Sequence, residues 1–208
     1  MKNKWFINFF LAFTKITGLL PVYIFFKPKV YKESGLKRLP KSFILVSNHK
    51  SLLDFVLYLL IFPFKTIRFL MAEVLYNKGK AFSFMLNSLG GIRVNRDDHD
   101  FSFVSESLEV LDNGGSIGIF PEGRLPINNK PWPFTTSTAF IAMRCDAPIV
   151  PIYTFGNYSL SKRAKVCIGK PFYVADYLDP SLSSQEQLSA LTEIIEQKVY
   201  ALRKLAGE

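Results

Sequence analysis

The chain has 208 residues, 49% of them hydrophobic and 15% aromatic, so it can form one domain with a core and is not intrinsically disordered. Its formal charge of +9 arises in residues 1–50, which hold ten Lys or Arg and one acid, whereas residues 51–208 hold sixteen of each sign. A basic segment that flanks a long apolar one favours anionic lipid over nucleic acid as the partner.

The chain begins with a mostly apolar stretch, residues 5–26, whose length fits a membrane span of about 20 residues. Pro21 interrupts this stretch, and Lys15 would place a charge near its centre, where charge is costly. Its polar residues fall on one helical stripe: Lys4, Asn8, Lys15 and Gly18. We therefore expect residues 1–40 to form an uncleaved, monotopic helical anchor at the cytoplasmic face of the cell membrane. A spanning helix and a cleaved signal peptide are the alternatives.

From residue 41 onwards, short apolar strands alternate with helical segments. The predicted strands are 43–47, 66–71, 92–94, 116–120, 149–154 and 164–168. The predicted helices are 51–61, 72–89 with a break near Gly79, 101–111, 134–144, and 184–204 with Ser183 or Ser184 as its cap. This alternation predicts an α/β domain over residues 41–208, with a largely parallel sheet covered by helices.

His49 follows the first predicted strand, and Asp54 comes five residues later. In a continuous helix this spacing would put the two side chains on different faces, so they can pair only if His49 lies in the loop before the helix. Ser51 and Asp54 fit a capping box at the helix start, with the carboxylate aimed back towards His49. A His beside a carboxylate commonly takes a proton from an alcohol, although Asp54 could serve only as a cap.

A second cluster follows the strand 116–120, where Phe120-Pro121 leads into Glu122-Gly123-Arg124. An Arg matches a phosphate group bidentately, and a Gly lets the backbone approach a ligand closely. The turn therefore suits binding of a phosphate or another polar head group, with a plain turn as the alternative role of Glu122.

Four segments resemble, in order, the motifs of the glycerolipid acyltransferases typified by 1-acylglycerol-3-phosphate acyltransferase, the PlsC-like family. The four segments are Asn48-His49-(four residues)-Asp54, Gly91-Ile92-Arg93-Val94-Asn95-Arg96, Phe120-Pro121-Glu122-Gly123-Arg124 and Pro148-Ile149-Val150-Pro151-Ile152. Each motif is moderately specific, but four in the family's order are strong support for the resemblance.

The resemblance implies that His49 is the general base and that Asp54 orients and stabilises its imidazole, with the acceptor's hydroxyl in place of a catalytic serine. It implies an acceptor-binding site made by Arg96, Glu122, Gly123 and Arg124. The two arginines would bind the glycerol phosphate, and Pro151 would help to shape the acyl-donor side. A surface ion pair with the neighbouring Asp97 or Asp98 is the alternative for Arg96, and a core strand is the alternative for most of 148–152.

The implied function is transfer of a fatty acyl group from acyl-CoA or acyl-carrier protein to a lysophospholipid hydroxyl at a membrane surface. The expected acceptor is 1-acylglycerol-3-phosphate, and no metal, bound cofactor or nucleic acid is implied. Two departures from the family pattern point to other readings: Arg124 follows Gly123 directly, and residues 133–137 lack the usual lysine. A different lysolipid or polar acceptor is one alternative. An inactive lipid-binding protein is another, although the intact His49 and Asp54 argue against it.

Overall fold

The computed structural model describes residues 27–95, 101–128, 130–155 and 163–207, together with six positions before residue 27. Seven strands in these ranges form one sheet: β1 (Lys29–Lys32), β2 (Ile44–Ser47), β3 (Ile67–Ala72), β4 (Ile92–Val94), β5 (Ser116–Ile119), β6 (Ile149–Phe155) and β7 (Lys165–Ile168). Their order is β1-β7-β6-β2-β5-β3-β4, and neighbours are parallel except for β6 and β7. The predicted α/β class, its largely parallel sheet and all six predicted strands are confirmed.

The helices alternate with the strands as predicted. The α-helices in the described ranges are α1 (Asp54–Ile61), α2 (Lys80–Ser88), α3 (Ser102–Asp112), α4 (Ser137–Ala142) and α5 (Ser184–Ala201). Short 3₁₀ helices are present at Glu73–Lys78, Val174–Tyr177 and Leu202–Ala206. The predicted break at Gly79 separates the first of these from α2, and its φ of +134° suits glycine. The predicted cap of α5 is confirmed, because Ser183 and Glu186 form a capping box.

Helices cover both faces of the sheet, and side chains along β2 alternate between two cores. Ile44 and Val46 pack in the core beneath α3, α4 and α5, whereas Phe43 and Leu45 pack in the core beneath α1 and α2. All four side chains are 0% exposed. Complete burial of such a side chain is worth about 1.5–3 kcal/mol relative to exposure. β2 is therefore packed on both faces directly before His49, which follows its carboxyl end.

The edge strand β1 was not predicted from the sequence. It pairs in parallel with β7, with Lys29 opposite Lys165 and Lys32 opposite Ile168. Three of its four residues are exposed, so it lacks the apolar run that identifies a buried strand. Lys29–Lys32 lies within the segment predicted as a helical anchor, so the prediction of helix is wrong for these residues and the sheet begins before residue 41.

The predicted anchor is described at only a few positions. Phe9, Phe13, Tyr23 and Ile24 are helical, and each is more than half exposed. Ala12 and Thr17 are also helical, and the remaining residues of the stretch 5–26 lie outside the described part of the chain. Among the described residues, no helix is long and apolar enough to cross a bilayer. The membrane anchor therefore stays a prediction.

Two loops meet at one edge of the sheet because β2 and β5 are parallel neighbours. The chain leaves β2 for β3 on one side, whereas it leaves β5 for β6 on the other side of β2. Opposed connections of this kind leave a crevice at the carboxyl ends of the strands, where α/β proteins bind ligands. The loop after β2 carries His49, and the loop after β5 carries Glu122.

Candidate active site

The imidazole of His49 pairs with the buried carboxylate of Asp54. The distance from His49 Nδ1 to Asp54 Oδ2 is 2.7 Å, and Asp54 is 0% exposed whereas His49 is 15% exposed. The same Oδ2 accepts the backbone N–H groups of Lys50 at 2.7 Å and Ser51 at 2.9 Å. A carboxylate at Nδ1 favours the tautomer with its proton on that nitrogen, so Nε2 carries the free lone pair. One buried carboxylate oxygen thus holds the loop and orients the imidazole of His49.

The predicted capping box at Ser51 is wrong, because α1 begins at Asp54 with Leu53 as its N-cap. Ser51 Oγ accepts the N–H of Leu53 at 3.2 Å, so the serine closes a tighter turn before the helix. The prediction that the Asp54 carboxylate points back towards His49 is confirmed. The carboxylate of Asp54 both accepts backbone N–H groups directly before the helix and contacts the imidazole, so a capping role and a contact with His49 are compatible.

The imidazole also lies against an aromatic stack. The ring centroids of His49 and Phe120 are 4.3 Å apart, with the planes inclined by 15°. Phe120 in turn stacks on Phe69 at 5.8 Å and on Tyr58 at 6.0 Å. The ring of Phe69 packs over Gly118, where a Cβ would overlap it. Sequence reasoning missed this contact of Phe120, because it depends on the pairing of β5 with β2, which no local pattern predicts.

A buried polar network fixes the end of β2 beside β6. The side chain of Asn48 donates to the carbonyl of Thr154 at 3.0 Å, and its Oδ1 accepts the Thr154 N–H at 2.8 Å. The Tyr58 hydroxyl bonds to Thr154 Oγ1 at 2.6 Å and to Ser47 Oγ. Burial, and then the Asp54 carboxylate, raise the pKa of Tyr58, so it stays a neutral hydrogen-bonding group. Asn48, the first residue of the motif, therefore joins the end of β2 to β6.

Glu122 lies beside the loop that carries His49. It is 4% exposed, and its Oε1 accepts the backbone N–H of His49 at 3.1 Å. Burial raises the pKa of Glu122, and the backbone N–H groups of His49 and then of Trp132 offset part of that rise. Its Oε2 has no hydrogen-bond partner within the described residues. The next residue, Gly123, adopts φ +70° in a tight turn closed by its N–H to the Phe120 carbonyl at 2.9 Å.

Of the two predicted phosphate-binding arginines, Arg124 is the one that lies in the described part of the chain. Arg124 is exposed, and its guanidinium lies 4.6 Å from the centre of the Trp132 ring. Arg96 lies outside the described residues, two positions beyond the end of β4. Pro151, predicted on the acyl-donor side, is a buried residue of β6 opposite Val46, as the core alternative expects.

A cavity of about 40 Å³ opens beside His49. It is bordered by side chains from both loops and from the carboxyl end of α5: Asn48, His49, Lys50, Glu122, Pro126, Pro131, Tyr153, Tyr200 and Arg203. Sequence reasoning missed Lys50, Tyr200 and Arg203. No local pattern marks the last two, because only the folding of α5 across β6 brings them to the site.

Comparison with known proteins decides the family. A family model described as Acyltransferase matches residues 29–154, more than half of the chain, starting at the first residue of β1. The protein belongs to this acyltransferase family. The predicted enzyme class and the resemblance stated from the four motifs are therefore confirmed.

Individual relatives carry the same description. A 1-acyl-sn-glycerol-3-phosphate acyltransferase of Bacillus subtilis (strain 168) is 28% identical over 180 residues, which cover 84% of this chain and 87% of the relative. The chloroplastic enzyme BAT2 of Brassica napus, of the same name, is 25% identical, and the match covers 76% of this chain but 49% of that protein. The crystal structure of PlsC from Thermotoga maritima, the 1-acyl-sn-glycerophosphate (LPA) acyltransferase, has a TM-score of 0.65 and 21% identity over 95% of this chain and 79% of that one. This structural likeness supports the fold.

Proposed function

We propose that this acyltransferase moves a fatty acyl group from acyl-CoA or acyl-carrier protein to the free hydroxyl of 1-acylglycerol-3-phosphate, in phospholipid synthesis. The observation that carries the proposal is the 2.7 Å contact between His49 Nδ1 and the buried Asp54 carboxylate, at the sheet edge where α/β proteins bind ligands. The names of the Bacillus subtilis and Brassica napus relatives support the choice of acceptor.

The chemistry follows from the orientation of the imidazole. Because Nδ1–H donates to Asp54, Nε2 accepts the proton of the acceptor hydroxyl as that oxygen attacks the thioester carbonyl. A C–O bond forms, the tetrahedral intermediate collapses, and the C–S bond breaks. The imidazolium then returns its proton to the leaving thiolate. Asp54 stabilises the imidazolium throughout, and no acyl-enzyme is required.

Glu122 is proposed to position the acceptor. Its Oε1 holds the backbone of His49, while its unpartnered Oε2 is buried in a residue that borders the same cavity. A buried carboxylate oxygen without a partner in the described residues is costly, so its expected partner is a polar group of the acceptor other than the single hydroxyl that His49 deprotonates. Gly123 keeps this turn compact, and Arg124 offers an exposed guanidinium one residue further on. Arg96 is proposed as a second phosphate ligand on the strength of its motif alone.

Membrane association is proposed from the apolar surface next to the site. Leu52 and Leu53, directly after the catalytic loop, are 48% and 47% exposed. The helical positions Phe9, Phe13, Tyr23 and Ile24 are exposed as well, in a segment that carries the basic excess of the chain. Apolar side chains beside lysines bind anionic bilayers, where the lysolipid acceptor is concentrated.

The test is thiol release by the purified full-length protein in anionic vesicles. Palmitoyl-CoA and an acyl-carrier-protein thioester are offered with lysophosphatidate or with a panel of other lysolipids, and His49→Ala is assayed in parallel. Release that needs both lysophosphatidate and His49 is expected. Release only with another lysolipid would favour the alternative acceptor. If no acceptor gives His49-dependent release, the proposal is wrong and an inactive lipid-binding protein is favoured.

A further inference from the structure

The carboxyl end of α5 forms one wall of the cavity beside His49. Tyr200 lies in the last turn of α5, and Arg203 lies in the 3₁₀ helix that follows; both border the cavity together with Lys50. Neither Tyr200 nor Arg203 belongs to the four motifs, and both lie beyond the family match, which ends at residue 154. This wall is therefore supplied by a part of the chain that the motif comparison does not reach.

Two aromatic rings hold the guanidinium of Arg203. Its central carbon lies 4.5 Å from the ring centre of Tyr200 and 5.1 Å from that of Tyr153. Stacking uses the faces of a guanidinium and leaves its in-plane N–H donors for a bidentate partner. Arg203 is exposed, so an entering ligand can reach these donors. With Lys50 it places two positive charges around a cavity whose buried acid, Glu122, has a raised pKa.

Two buried polar atoms of the residues around this cavity have no hydrogen-bond partner in the described part of the chain: Tyr200 Oη and Glu122 Oε2. Burial, followed by the charge of Glu122, raises the pKa of Tyr200, so the phenol keeps its proton and can donate. Buried polar groups are nearly always paired, so two unpaired ones in residues that border the same cavity call for an explanation, and a polar ligand that enters the cavity provides one.

We propose that Arg203 and the Tyr200 hydroxyl bind the phosphate group of the acceptor. The identity of this ligand rests on the proposed acyl transfer. In 1-acylglycerol-3-phosphate the phosphate is attached to the carbon next to the one that bears the reacting hydroxyl, so a phosphate held in the cavity that His49 borders keeps that hydroxyl in the same site. In the donor, the whole pantetheine arm separates the nearest phosphate from the thioester. The geometry therefore favours the acceptor, and an acceptor without a phosphate would lose this contact.

The first test is equilibrium binding of lysophosphatidate, below its micellar concentration and without acyl donor, measured by titration calorimetry. Arg203→Gln should weaken binding about tenfold or more, as expected for loss of a charge-assisted bidentate contact, and should leave binding of a monoacylglycerol unchanged. Lys204→Gln is the matched control, because it removes the same charge from an exposed residue of the same 3₁₀ helix. Equal losses in the two variants, or none in either, would overturn the proposal.

Tyr200→Phe keeps the ring on which Arg203 stacks and removes only the hydroxyl. Because this hydroxyl has no partner within the described residues, its removal should leave the melting temperature unchanged or higher. Lysophosphatidate should nevertheless bind several-fold more weakly. Unchanged affinity would remove Tyr200 from the site.

Steady-state kinetics then distinguish the two sources of phosphate. Arg203→Gln should raise KM for lysophosphatidate about tenfold with kcat within a factor of about two, and leave KM for palmitoyl-CoA unchanged. If KM rises for palmitoyl-CoA but not for its N-acetylcysteamine analogue, which lacks phosphate, the donor is the ligand and the acceptor assignment is overturned. The binding test needs no turnover, so wild-type protein that binds lysophosphatidate without releasing thiol would refute only the proposed acyl transfer.

Discussion

Replacing Asp54 by Asn tests the catalytic pair with little change of shape. In the structure, Asp54 Oδ2 accepts three N–H groups at 2.7–2.9 Å, and an amide oxygen at that place can accept the two backbone donors almost equally well. What the variant loses is the negative charge that faces the imidazolium formed during the reaction. Two unit charges about 4 Å apart interact with about 4 kcal/mol at an effective dielectric constant of 20. At about 1.4 kcal/mol per decade, we expect kcat to fall by about 10³.

The loss should appear in kcat, because the imidazolium is absent when substrates bind. The assay is thiol release in vesicles under saturating donor and acceptor, with the melting temperature recorded for each variant. Asp112→Asn, at an exposed carboxylate in the last turn of α3, is the matched control and should retain wild-type kcat. If Asp54→Asn lowers the melting temperature but its kcat per folded molecule equals the wild-type value, Asp54 is only a structural cap and the reasoning is refuted.

Three further predictions concern the groups around the base. Phe120→Leu removes the ring that stacks on His49 but keeps apolar volume, so kcat should fall about 3- to 10-fold with little change in melting temperature; an unchanged kcat would contradict a positioning role. Gly118→Ala puts a methyl group into the Phe69 ring and should destabilise the fold by about 1–3 kcal/mol in urea unfolding; wild-type stability would show that the stack can shift. Burial raises the pKa of Glu122, so the folded state binds more protons than the unfolded state, and wild-type stability falls as pH rises through that raised pKa. The melting temperature of Glu122→Gln minus that of the wild type should therefore rise between pH 4 and pH 7. Glu193→Gln, at an exposed site of α5, is the control, and a difference for Glu122→Gln that stays constant with pH would contradict this prediction.

The central strands were predictable because they are buried on both faces. Four successive residues of β2 are buried, and such a strand reads as a continuous apolar run. β1 has the opposite character, since its four residues include two lysines and lie mostly exposed at the edge. Its place in the sheet depends on pairing with β7, more than 130 residues later in the chain, for which the local pattern holds no signal.

Part of the candidate site was predictable from the sequence and part was not. His49 and Asp54 are five residues apart, so motif spacing was enough to predict their pairing, whereas the family resemblance assigned Glu122 to the site and the pairing of β2 with β5 explains why it lies there. The position of Arg124 was not predictable in this way, because its guanidinium stacks on Trp132, and that contact depends on how the loop folds back. The loop itself is held by Trp132 Nε1–H, which donates to the carbonyl of Leu125 at 3.2 Å.

The two sides of the cavity are held by different parts of the chain. The imidazole of His49 is held by contacts within one short loop and by the Phe120 ring, so its position depends little on the far end of the chain. Arg203 and Tyr200 reach the same cavity from α5, whose buried face packs independently on the core through Leu191, Ile195 and Val199. The proposed phosphate contact therefore predicts that substitutions at the end of α5 change which head group is accepted while the geometry around His49 stays intact. A swap of residues 200–204 between relatives with different acceptors should transfer acceptor preference, measured as a ratio of kcat/KM values, whereas a swap within the catalytic loop should lower kcat for every acceptor alike.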